Sequence, residues 1–134
     1  MEKSVVFYES WQMECCGTPF TIGDTIKWLA YEAECLNTPV DIGKIDYCYE
    51  AHSSEWNNLF VIEGKVEEIK ILYQKYLPSE NNAQLLVPAD GRLVKTQSAK
   101  GFEKEMDDME ASGYIVLLGE YFVRPAEKEE VTFR

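Results

Sequence analysis

The sequence predicts a mainly β single domain. It would be a small, partly open barrel, OB-like or SH3-like, of about six or seven strands, with one short helix near residues 101–112. Three observations carry this expectation. Turn residues recur at fairly even spacing, in Cys16-Gly17-Thr18-Pro19, Gly23-Asp24, Asn37-Thr38-Pro39, Asn57-Asn58, Pro78 through Asn82, Asp90-Gly91 and Ser112-Gly113. The segments between them are short and rich in β-branched and aromatic residues, which fit a pleated, half-buried surface. The chain has 134 residues, 46% hydrophobic and 13% aromatic, the size and apolar content of one domain with a buried core.

The first strand is expected over residues 4–13, with Val5, Phe7 and Glu9 on one face and Val6, Tyr8 and Ser10 on the other. The second is 24–34, where Ile26, Trp28 and Ala30 share a face opposite Lys27 and Leu29. In the third, 42–51, Ile45, Tyr47 and Tyr49 alternate with Asp46, Cys48 and Glu50. The fourth, 59–72, places Phe60, Ile62, Gly64 and Val66 in phase, and the interior glycine marks a bulge or a bend at a barrel corner. Segments 84–87 and 92–96 flank Asp90-Gly91, a hairpin signal. The last strand is 114–123, with Gly119 as a candidate bulge. In 101–112, Phe102, Met106 and Met109 fall at helical spacing and Gly113 supplies a stop, so a helix is expected there. Residues 1–124 form the domain on this reading, and 125–134 a charged tail.

Thirteen Lys and Arg against 24 Asp and Glu leave a net charge of −11. Phosphate neutralisation needs clustered cations, so nucleic acid is a disfavoured partner. The chain opens without a charged-then-apolar leader, and its longest aliphatic run, Ile115 to Leu118, is far short of the roughly 20 residues that cross a bilayer. A soluble, cytoplasmic protein with no membrane contact is therefore expected. In that setting Cys15, Cys16, Cys35 and Cys48 are free thiols.

The segment Trp11-Gln12-Met13-Glu14-Cys15-Cys16-Gly17-Thr18-Pro19-Phe20, followed by Ile22-Gly23-Asp24-Thr25-Ile26-Lys27-Trp28, resembles the opening motif of a family of uncharacterised bacterial single-domain proteins. The resemblance implies a bacterial, cytoplasmic setting and one domain. It implies no activity.

Two sets of residues are candidates for a site. Trp11, Trp56 and Tyr49 belong to an aromatic set able to offer ring faces to a partner, and Trp56 stands among polar turn residues, the best position for an exposed contact. Cys15, Cys16, Cys48 and His52 carry the metal-ligand types, and zinc takes about four such ligands. Against this, Cys48 and His52 on one extended strand would stand roughly 13 Å apart, too far to share an ion. No cofactor is expected, with zinc as the alternative. His52 is the one histidine of the chain, which leaves imidazole catalysis a single candidate. The acidic run 103–110 lacks the Asp/Asn alternation and central glycine of a calcium loop and reads as a solvated face. Phosphate loops, Gly-x-Ser-x-Gly and His-Glu-x-x-His are absent from the sequence.

The expected function is a non-catalytic binding or interaction module with a protein partner, held by an aromatic patch or an open sheet edge. The alternatives are a small metal-binding or thiol-dependent protein using Cys15, Cys16, Cys48 and His52, and an OB-like oligonucleotide or sugar binder. An unpaired edge strand would also admit a homodimer.

Overall fold

A computed structural model describes residues 3–10, 12–13, 18–33, 42–50, 56–81, 84, 86–101 and 103–132. Its strands are β1 (Lys3–Glu9), β2 (Phe20–Thr21), β3 (Thr25–Glu32), β4 (Tyr47–Tyr49), β5 (Phe60–Pro78), β6 (Leu86–Thr96), β7 (Ser98–Ala99) and β8 (Glu110–Pro125), followed by a short helix, α1 (Lys128–Thr132). The main sheet orders six strands as β3-β4-β1-β8-β5-β6, and β3 also pairs with β5. Hydrogen bonding therefore closes a ring of five strands, and β6 extends it along the outer part of β5. The β1–β4 pair is parallel, and every other pairing in the ring is antiparallel.

Strand β5 makes the ring close. Its first part pairs with β3 over Phe60 to Lys65, and its second part pairs with β6 over Ile69 to Pro78. It changes partners between Lys65 and Ile69, where its register with β8 slips between Val66 and Glu68, and a further slip falls at the glycine that the sequence marks, Gly64. A Cβ there would stand 2.9 Å from the Tyr121 Cβ and 3.2 Å from the Gly119 carbonyl oxygen, so only glycine lets β8 approach. Opposite the slip between Glu63 and Lys65, β8 carries the extra residue, and Glu120, next to Gly119, takes a positive φ of 48°. The bulge thus falls one residue beyond Gly119, the glycine the sequence marks on β8.

Alternation along the strands builds two apolar layers. Val6, Tyr8, Ile26, Ala30, Ile62, Val66, Ile69, Tyr114, Val116 and Leu118 fill the main core. On the opposite face of β1, Phe7 joins Cys48 and Leu72 in a second cluster. These are the two faces of the first strand that period-two alternation predicts.

The sequence expectations are corrected at five places. The short helix is at Lys128–Thr132 and not at 101–112. Met106 and Met109 instead exchange backbone hydrogen bonds of 3.0 and 2.9 Å across Asp107-Asp108, a tight turn that leads into β8. Asp90-Gly91 is not a hairpin turn. Gly91 pairs with Gln74 inside β6, and the connection between β5 and β6 is made past Pro78. The first strand ends at Glu9, where the backbone turns helical at Ser10, Gln12 and Met13. The third is confined to Tyr47–Tyr49, whereas the fourth continues to Pro78. Beyond β8, the Ala126 N–H donates to the Leu59 carbonyl oxygen at 3.0 Å, and Ala126 is buried beside Leu59 and Val61.

Candidate functional site

The aromatic cluster begins with alternation on β1, β3 and β4. Tyr8 points into the ring, and Trp28 shares the inward face of β3 with Ile26 and Ala30. Register sets Ala30 opposite Tyr49 and brings the β4 ring beside these. Tyr8 and Tyr49 stack face to face at 3.9 Å, and Trp28 meets Tyr8 and Phe20 edge-on at 5.2 and 5.0 Å. Gln12 donates its side-chain amide to the Tyr49 carbonyl oxygen at 3.1 Å and ties the chain after β1 to β4. Tyr8 and Phe20 are buried, whereas Trp28 and Tyr49 are only half-buried.

The open parts of Trp28 and Tyr49 line two clefts. The first, of about 360 Å³, also takes in Lys27, Leu29, Glu50, Val61 and Glu130. The second, of about 420 Å³, lies toward Thr18, Pro19, Phe20 and Asp24. Charge is confined to the rims. Glu130 reaches the first cleft from α1 and is anchored by Arg124, whose guanidinium nitrogens donate to its two oxygens at 2.7 Å each. That pair, joined by the Glu127 backbone N–H, holds the Glu130 carboxyl down at about 2.

The ionisable groups behind the clefts are held neutral. Burial pushes the Tyr8 phenol far above its ordinary range, with Tyr49 adding to the effect. Burial likewise pushes the Cys48 thiol up, and its hydrogen bond with Tyr31 offsets only part of that. A buried protonated thiol is a poor nucleophile and a poor metal ligand. The arrangement offers rigid ring faces with a polar rim, which is the chemistry of binding.

Of the predicted site residues, Tyr49 falls at the cleft. Trp56 opens a turn of 3-10 helix at Trp56–Asn58, and its side chain lies outside the described set. Trp11, Cys15, Cys16 and His52 also lie outside the described residues. Cys48 sits in the second apolar cluster, away from solvent. Among the described residues no three His, Cys, Asp or Glu side chains gather closely enough to hold a metal ion. Sequence reading counts Trp28 in the aromatic set without singling it out for a site, and it missed Lys27 and Glu130 as cleft residues. Trp28 alternates as a core residue should, and only the β3–β4 register reveals that part of its ring stays open. Glu130 gave no local signal, because its place depends on the chain folding back after β8.

Among the described residues no helix is long and apolar enough to cross a membrane. None of the curated proteins and none of the solved structures matches the chain. One family model does, over residues 2–120, a span that contains the Trp11 to Trp28 motif, and the chain therefore belongs to that family, DUF6578, a family of unknown function.

Proposed function

We propose that the protein is a non-catalytic binding module that takes an apolar or aromatic side chain of a protein partner against the open sides of Trp28 and Tyr49, which themselves meet edge-on at 5.8 Å. The observation that carries this reading is the pair of half-open rings fixed from behind by Tyr8 and Phe20. Rings already locked in place lose little freedom on binding, so an anchor residue entering the cleft keeps most of its burial energy. Lys27, Glu50 and Glu130 at the first cleft supply the charged rim that orients a peptide around such an anchor.

A second contact supports the same class of function. Strand β6 pairs only with β5 in the main sheet and leaves an outer edge. A second copy of the chain or a partner strand adds there on this reading, and a homodimer through that edge is part of the proposal. We place the protein in the bacterial cytoplasm, the setting implied by the resemblance of residues 11–28 and in keeping with a reduced Cys48.

The test is selection of peptides from a displayed random library on the wild-type protein. The enriched peptides are expected to share one large apolar residue. They should bind Tyr49→Ser and the exposed-rim variant Lys27→Glu at least about tenfold more weakly, as loss of an anchor pocket or its rim predicts. Failure to enrich any peptide, or equal affinity for wild type and both variants, overturns the reading.

A further inference from the structure

A cleft of about 430 Å³ opens where the start of β8 meets the end of β1, away from the aromatic site. Four carboxylates line it, from Glu9, Glu103, Glu105 and Glu110. Its lining includes no Lys or Arg. Glu105 and Glu110 are exposed, and their carboxylates face solvent. Carboxylates alone on a protein of charge −11 would read as a solvated surface.

A buried group in the lining, with a second one behind it, says more. Ser10 lines the cleft, is only 9% exposed, and its hydroxyl has no hydrogen-bond partner. Gln74 is 5% exposed and lies behind two lining residues, Tyr76 and Ser112. Its amide oxygen accepts from Tyr76 at 2.9 Å and from Ser112 at 2.8 Å, both of which line the cleft. The amide nitrogen of Gln74 has no partner. Turning the amide over would exchange the two atoms and still leave one end unsatisfied. Buried polar groups are nearly always paired, because leaving one unpaired forfeits its hydration with nothing in return. An unpaired hydroxyl oxygen at Ser10 under a fringe of carboxylates marks a place where a positively charged hydrogen-bond donor belongs.

The spread of the charges selects the ligand. As no three acidic side chains converge on one point among the described residues, a single metal ion does not fit. We propose that this cleft binds an elongated organic cation, a chain carrying two or more ammonium or guanidinium groups. Its charges lie against Glu105 and Glu110, and one of its N–H groups donates to the Ser10 hydroxyl oxygen. A free polyamine and the side chains of a basic peptide present the same chemistry. Glu103 plays a different part. Its carboxylate accepts from the backbone of Lys100 and Gly101 and from the Tyr114 hydroxyl, which fixes the wall of the cleft.

Calorimetric titration of the full chain at low salt tests this, with spermine and a tri-lysine peptide as probes. Saturable binding of either probe at this cleft supports the proposal, and the tighter one identifies the source of the cation. Glu105→Gln with Glu110→Gln should weaken binding at least about tenfold, since two close ion pairs are lost. Ser10→Ala, which removes no charge, should weaken it about threefold to tenfold. The control Glu80→Gln with Glu129→Gln removes the same charge elsewhere and should leave affinity unchanged. Failure of both probes to bind overturns the proposal. So does an equal loss in the control, or displacement of spermine by magnesium at matched ionic strength.

Discussion

Phe7 and Gly113 fit together as ring and notch. The Phe7 ring lies over the bare backbone of Gly113 on β8, so closely that a Cβ there would stand 2.7 Å from the ring edge. Phe7 is buried with Cys48 and Leu72, and has no room to retreat. Gly113→Ala should therefore destabilise the protein by about 1–3 kcal/mol, the usual cost of overpacking. Urea unfolding measures this. The double variant Phe7→Leu, Gly113→Ala should lose less than the sum of its parts, because the clash is shared. The in-and-out pattern of β1 was legible from Val6, Phe7 and Tyr8 alone. The notch was not, since Gly113 reads in sequence as a helix stop and its true neighbour is remote in the chain.

Among the elements, β5 was the most legible, because Phe60, Ile62, Gly64 and Val66 announce both a strand and an irregularity within it. The segment 101–112 was the least legible. Phe102, Met106 and Met109 keep helical spacing, but Asp107 and Asp108 take positive φ values of 51° and 63°. Two successive residues in that region make the two-residue turn that suits a hairpin, and short polar Asp side chains tolerate it. Asp108→Gly decides between the readings. In the turn it should raise stability by up to about 1 kcal/mol, since glycine adopts positive φ freely. In a helix it would lower stability by a similar amount. Helix α1 carries its own pH signature. The Glu130 carboxyl ordinarily ionises near 4.5 and is held at about 2 in the fold. Its folded value is depressed, so its contribution is present above pH 4.5 and is lost as pH falls toward 2. Glu130→Gln should flatten the fall of Tm with acidity across that window, read by calorimetry at a series of pH values.

In the whole molecule, long-range pairing decides what alternation leaves open. The mainly β class and the sheet content were legible because turn signals and β-branched segments recur along the chain. The closure of the ring was not, because β3 meets β5 and β1 meets β4 across long separations. The same closure gathers Tyr8, Phe20, Trp28 and Tyr49 from four strands into one cluster with an open side. A competing apolar surface lies at the projecting end of β5 and β6, where Tyr76, Leu77 and Leu86 are exposed. The two are separable by nuclear magnetic resonance of nitrogen-labelled protein titrated with N-acetyltryptophanamide, a free aromatic side chain in soluble form. Saturable shifts concentrated at the amides of Lys27, Leu29, Glu50 and Val61 are the result expected of a Trp28–Tyr49 binding cleft. Shifts scattered over the surface, or strongest at Tyr76, Leu77 and Leu86, would contradict it.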